Sequence, residues 1–123
     1  MSNNIKISVS TEYMGQQNNN DKTAYVFRYT VTIGNLSQAN VQLLSRYWLI
    51  TNGDGEKVEV SGEGVVGEQP IIEPNKDYSY TSASMLKTKV GTMEGYYYFI
   101  DADKKEFKTA IPAFSLAVPN AIH

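Results

Sequence analysis

The chain has no cysteine, and its one histidine is the last residue, His123. The first absence excludes disulfides, thiolate metal sites and cysteine nucleophiles together. The second makes a serine triad hard to build and removes any histidine-rich metal site. A lone histidine at a chain end is read as a frayed terminus. Basic charge is also scarce: 11 Lys and Arg against 13 Asp and Glu give a formal net charge of −2, whereas a nucleic-acid binder shows a basic face or stripe. Long apolar runs are missing too, since none approaches the roughly 20 residues that span a bilayer. The start, Met1-Ser2-Asn3-Asn4-Ile5-Lys6, lacks the apolar core of a signal peptide. The expectation is a cytoplasmic protein with no nucleic-acid partner and no membrane insertion.

What the chain does have is alternation. Ile5, Ile7, Val9, Thr11 and Tyr13 alternate with Lys6, Ser8, Ser10 and Glu12, the period of two of a half-buried strand. Tyr25, Phe27, Tyr29, Val31 and Ile33 form one face of a second strand that ends at Gly34-Asn35. Residues 15–22, polar and rich in asparagine, are expected to form a mobile loop between them. From 41 to 51 the alternation is spoiled, with Val41, Leu43, Tyr47 and Leu49 facing one way and Leu44, Trp48 and Ile50 the other, which predicts a strand covered on both sides. Asn52-Gly53-Asp54-Gly55 predicts a hairpin into Lys57-Val58-Glu59-Val60. Further strands follow at 77–83, with Tyr78 and Tyr80 on one face, and at 93–100, again apolar on both sides. Asp101-Ala102-Asp103-Lys104-Lys105 turns into Phe107, Thr109 and Ile111, and Pro112 bends the final strand or places it at an edge.

These segments, with no convincing helix and no internal repeat, predict an all-β fold: an immunoglobulin-like or fibronectin type III-like antiparallel β-sandwich of about seven or eight strands. A barrel is the alternative. At 123 residues one domain, 1–123, is expected, long enough to bury its own core. The nine tyrosines fit the same reading, because aromatic side chains pack well on pleated sheets.

One string invites a chemical reading. Gly62-Glu63-Gly64-Val65-Val66-Gly67 has the G-x-G-x-x-G spacing of a dinucleotide-binding turn, but that turn needs a helix after it to supply aligned N–H groups. Pro70 and Pro74 follow instead and prevent such a helix from starting. Two readings remain. Successive backbone amides could form an anion nest, completed by Arg46 or Lys57. Otherwise the glycines serve a bulge, a positive φ or a close backbone approach. Glu63 and Glu68 beside the loop count against an anion and favour the second. Asp101 and Asp103 form a D-x-D pair that could offer oxygens to magnesium, yet aspartate is common in turns for its local hydrogen bonds. Spacing alone pairs none of Glu63, Glu68 and Glu94, so no general acid and base can be assigned. No catalytic set, metal site or cofactor is expected. Trp48 is assigned to the core, and the apolar surplus of the two double-sided strands is either covered by loops or free for a protein partner or self-association.

Four segments taken together carry a resemblance: Val41-Gln42-Leu43-Leu44-Ser45-Arg46-Tyr47-Trp48, GEGVVGEQP from Gly62 to Pro70, Gly91-Thr92-Met93-Glu94-Gly95-Tyr96, and IPAFSLAVP from Ile111 to Pro119. In these the chain resembles the bacterial ApaG family over nearly its whole length. The resemblance implies a fibronectin type III-like sandwich and a non-enzymatic interaction module. It also implies an association with cobalt resistance and magnesium efflux that must be indirect, since no segment spans a membrane. The domain recurs in larger eukaryotic proteins, among them an F-box protein and a polymerase-delta-interacting protein. The resemblance further implies a pyrophosphate site at Gly62, Gly64 and Gly67; a small-molecule site for pyrophosphate or a nucleotide on those loop amides, with Arg46 as a nearby cation, is the alternative function. The family often carries histidine where this chain has Tyr47, which removes a metal or catalytic role from that position.

Overall fold

The computed structural model describes residues 4–120, so His123 lies outside the described residues. Eight strands follow in order: β1 (Ile5–Asn19), β2 (Lys22–Asn35), β3 (Val41–Asn52), β4 (Lys57–Glu63), β5 (Ile71–Ile72), β6 (Asp77–Leu86), β7 (Val90–Asp101) and β8 (Glu106–Ala117). They form two antiparallel sheets packed as a sandwich, one in the order β1-β2-β6 and one in the order β4-β3-β7-β8, with the short β5 paired to β3. Phe27, Tyr29, Val31 and Ile33 of β2 meet Leu43, Trp48, Tyr97 and Phe99 of the other sheet in the core. Burying each such side chain is worth about 1.5–3 kcal/mol.

Two expectations change. Residues 15–22 are not a mobile loop: β1 runs on to Asn19, pairs with β2 as far as Asn19↔Lys22, and turns through Asn20 and Asp21 at φ 50° and 66°. Two successive positive φ values mark the tight turn whose twist suits a hairpin, and asparagine and aspartate tolerate that conformation. Polarity here reflects a ribbon wetted on both faces, not absent structure. In β3, the mixed pattern comes from a bulge. The register to β7 passes from Leu43↔Phe99 to Ser45↔Tyr98 and skips Leu44. One inserted residue reverses which parity faces inward, so Leu43 is fully buried before the bulge and Trp48, 2% exposed, after it. The faces assigned to Tyr47 and Leu49 therefore belong outside, opposite to Val41 and Leu43.

Pro112 sits where β8 departs from its register with β7, between the pairs Met93↔Phe114 and Gly95↔Ile111. The strand lies at a sheet edge, where a missing N–H breaks no second ladder. At the other end of the core, Asn35 is fully buried and fully bonded. Its Nδ2 donates to the carbonyls of Ala39 and Ile72, both at 2.8 Å, and its Oδ1 accepts from the Ser37 amide at 2.9 Å and the Ser37 hydroxyl at 2.6 Å. That side chain ties the end of β2 to β5.

Candidate functional site

The glycine string forms a hairpin clipped onto the β3 bulge. Val65 donates from its amide to Glu68 O at 2.8 Å, and Glu68 donates back to Val65 O at 3.0 Å. Between them Val66 and Gly67 take φ 47° and 80°, the paired positive values of a two-residue turn. The Gly64 amide donates to Leu44 O at 2.8 Å, and Gln69 Nε2 reaches the same carbonyl at 2.9 Å. The carbonyl freed by the bulge is thus the loop's anchor, and Val65 is driven into the core with no exposed surface.

The glycines have distinct steric roles. Gly64 lies at φ 67°, and a Cβ there would collide with the Glu68 carbonyl. Gly62, in β4 opposite Arg46, lies under the Arg46 guanidinium: a Cβ would stand 3.0 Å from Nη1 and 3.2 Å from Cζ. Arg46 Nη1 donates to Gly64 O at 2.9 Å and Glu63 O at 3.2 Å. Arg46 is therefore brought to the loop, with Nη1 holding two of its carbonyls. The amides of Gly64 and Val65 are used within the fold, while those of Val66 and Gly67 meet no backbone acceptor among the described residues. Lys57 is not brought near: it starts β4, five residues before Gly62, or roughly 16 Å along the strand, and its Nζ donates to Thr51 Oγ1 at 3.2 Å.

Beneath the hairpin is a cavity of about 320 Å³ walled by Tyr29, Arg46, Tyr80 and Ser82, with Trp48 and Val65 behind them. Strands β2, β3, β4 and β6 contribute. Tyr29 of β2 stands opposite Ser82 of β6, and Arg46 of β3 opposite Gly62 of β4. The Tyr80 and Tyr97 hydroxyls are hydrogen-bonded to each other in the interior. Burial is the main reason that both phenols are pushed well above their usual range, and the nearby Arg46 charge opposes it without reversing it. Both stay neutral donors at ordinary pH. Trp48 Nε1 is buried without an oxygen partner among the described residues; the rings of Tyr29, Tyr97 and Phe114 meet the Trp48 ring edge-on at 5.5, 6.3 and 5.8 Å.

The outer face of the larger sheet is aromatic. Tyr47 stacks on Tyr96 at 4.8 Å and 21°, Tyr98 meets Tyr96 edge-on at 5.4 Å, and Lys108 Nζ lies 4.6 Å over the Tyr96 ring. The Tyr47 hydroxyl donates to Glu59 Oε2 at 2.6 Å, and that bond first, with partial desolvation second, pushes its pKa up to about 12. Elsewhere, Asp101 Oδ1 accepts from the amides of Asp103 and Lys105 at 2.9 and 3.0 Å, the local bonding of a turn. Among the described residues no three His, Asp or Glu side chains gather as a metal ion would need, and no helix is long and apolar enough to cross a membrane.

The family model described as ApaG domain matches residues 15–101. The chain belongs to the ApaG family. It is 51% identical to Protein ApaG of Pectobacterium atrosepticum over 119 residues, 97% of this chain and 95% of that one. It is 53% identical to Protein ApaG of Escherichia coli over the same share of each. An X-ray structure solved as a structural-genomics target superposes with a TM-score of 0.95 at 42% identity, covering 98% of this chain and 92% of that chain. A crystal structure of a Bordetella pertussis protein assigned as ApaA gives 0.88 at 38% identity, covering 95% of each.

In this ApaG chain, sequence reasoning found Arg46 and the three glycines but not the polar cavity beside them. Tyr29, Tyr80 and Tyr97 were available as a signal. Each is a phenol at an inward position of its strand, where its hydroxyl must find a partner once buried.

Proposed function

We propose that this chain is a non-enzymatic binding module that docks another protein through the outer face of its larger sheet. The observation that supports this reading is the Tyr47, Tyr96 and Tyr98 cluster, set among Glu59, Glu94 and Lys108. Aromatic anchors inside a charged rim are the composition of a docking surface. Tyr98 is 38% exposed, and a solvated sheet face has no packing need for three phenol rings. The association with cobalt resistance and magnesium efflux is then indirect, exerted in the cytoplasm through the bound partner. The test is a Tyr96→Ala/Tyr98→Ser variant returned to a bacterium lacking its own copy. Unchanged melting with lost cobalt tolerance is expected; full rescue by the variant would sink the docking reading.

A second reading keeps the loop as a pyrophosphate or nucleotide site, and Arg46 beneath it is what favours that reading. Of the three glycine amides proposed for it, Gly64 already serves Leu44 O. The donors left to such a ligand at the tip are the amides of Val66 and Gly67.

A further inference from the structure

The cavity under the glycine hairpin holds more donors than acceptors. Arg46 spends Nη1 on two carbonyls, while its Nη2 and Nε have no acceptor among the described residues. Its guanidinium also has no carboxylate partner there, since the ion pair formed is Arg28 with Glu12. A half-buried cation left without a counter-charge is costly. Tyr29 is 6% exposed and lines the cavity, and its hydroxyl likewise has no hydrogen-bond partner among the described residues. Ser82, directly opposite on β6, adds a second hydroxyl with no hydrogen-bond partner among the described residues. The spare donors of Arg46 and these two hydroxyls, from three strands, therefore line one space of about 320 Å³, the lower end of the size range of small-ligand sites.

We infer that this cavity binds a small organic carboxylate, its oxygens held by Arg46 Nη2 or Nε and by the hydroxyls of Tyr29 and Ser82. The charge balance selects the class. Arg46 is the one cation lining the cavity, and Glu63 stands at the rim. One guanidinium pairs with one carboxylate, and because Glu63 already brings the lining to zero net charge, each further negative charge on a ligand such as pyrophosphate adds repulsion that nothing offsets. Tyr80, hydrogen-bonded to Tyr97 behind it, supplies a polar wall without adding charge. Val66 and Gly67 also line the cavity, and their amides meet no backbone acceptor among the described residues. This site is independent of the docking face on the opposite side of the sheet, and it differs from the loop-amide reading in both ligand and contacts.

Trp48 is the sole tryptophan and lines the cavity, so its fluorescence reports on occupancy. The full-length protein is titrated at constant ionic strength with propionate, benzoate, inorganic phosphate and pyrophosphate, with chloride as the control. Amide NMR shifts of Val66 and Gly67 are followed in parallel. Saturable quenching by propionate or benzoate is expected, with pyrophosphate weaker. Affinity should fall about tenfold or more in Tyr29→Phe, which removes one hydroxyl bonded to a charged acceptor and keeps the ring. Arg46→Gln should abolish the response; if that variant does not fold, Tyr29→Phe decides. The inference is overturned by no concentration-dependent quenching with any carboxylate up to about 50 mM, where even a ligand with a Kd of about 30 mM would occupy more than half of the sites. An unchanged affinity in Tyr29→Phe also overturns it, as does tighter binding of pyrophosphate than of either carboxylate, which would return the site to the loop amides.

Discussion

The guanidinium of Arg46 lies over the α-carbon of Gly62, its cross-strand neighbour, close enough that a methyl group there would stand 3.0 Å from Nη1 and 3.1 Å from Nη2. That contact gives the first glycine of the G-x-G-x-x-G string a steric purpose unrelated to backbone conformation. Gly62→Ala should displace the guanidinium from the carbonyls of Glu63 and Gly64 and cost about 1–2 kcal/mol by overpacking and lost hydrogen bonds. In Arg46→Ala the same glycine change should be nearly neutral. A urea-denaturation double-mutant cycle checks this, and additive losses would show that the two residues are not coupled.

Val66 is a β-branched residue at φ 47° and 63% exposed. Such a residue pays for a left-handed conformation without gaining burial. Val66→Asn should stabilise the protein by about 0.5–1 kcal/mol, since asparagine suits this turn position. For a chain of this size the melting midpoint rises by a few degrees. A lower midpoint would mean that the valine makes a contact the turn depends on.

Alkaline pH should unfold the protein through its inward phenols. Burial raises the pKa of Tyr80 and Tyr97 above the ordinary value of 10.0, so above about pH 10 the unfolded chain loses protons that the folded chain keeps. Stability falls with rising pH when the native state binds more protons. The contribution is intact below pH 10 and is lost above it, by up to about 1.4 kcal/mol per pH unit for each phenol held fully neutral. Tyr97→Phe should reduce the slope between about pH 10 and 11.5, as measured by urea midpoints, with Tyr80 and the raised Tyr47 and Tyr78 carrying the remainder. An unchanged slope would show that Tyr97 ionises freely.

Asn35→Leu removes four hydrogen bonds from a site with no exposed surface. The Ile72 carbonyl and the Ser37 amide would be left unpaired, at about 1–3 kcal/mol for each that water cannot reach, while the Ala39 carbonyl keeps the Ser37 hydroxyl at 3.0 Å. A total loss of about 3–5 kcal/mol is expected, with hydrogen exchange quickening first at Ile72. A loss below about 1 kcal/mol would mean that water replaces the side chain.

Most strands were legible, because side-chain period and turn chemistry are local. Phe27 to Ile33, the Asn52–Gly55 hairpin and the Asp101 turn all follow from neighbours within a few residues. The Asn20–Asp21 turn was equally local and was masked by the polarity around it. Leu44 was different: nothing in Val41 to Ile50 says which residue the partner strand skips, since that depends on where Phe99 and Tyr98 fall. The candidate site divides the same way. Gly62, Gly64, Gly67 and Arg46 stood out by spacing and charge, but the cavity needs Tyr29, Tyr80 and Ser82 from two further strands.

The sequence by itself determined the all-β class, the inward faces of β2 and β6 and the family, because each rests on patterns within contiguous residues. Tertiary structure alone decided that the glycines build a hairpin clipped to a bulge, that Arg46 turns inward while Tyr47 turns out, and that three phenols and a guanidinium meet. The physical reason is that strand partners are non-local: alternation tells a residue which face it shares, and only the register and the packing of one sheet on the other decide what stands opposite.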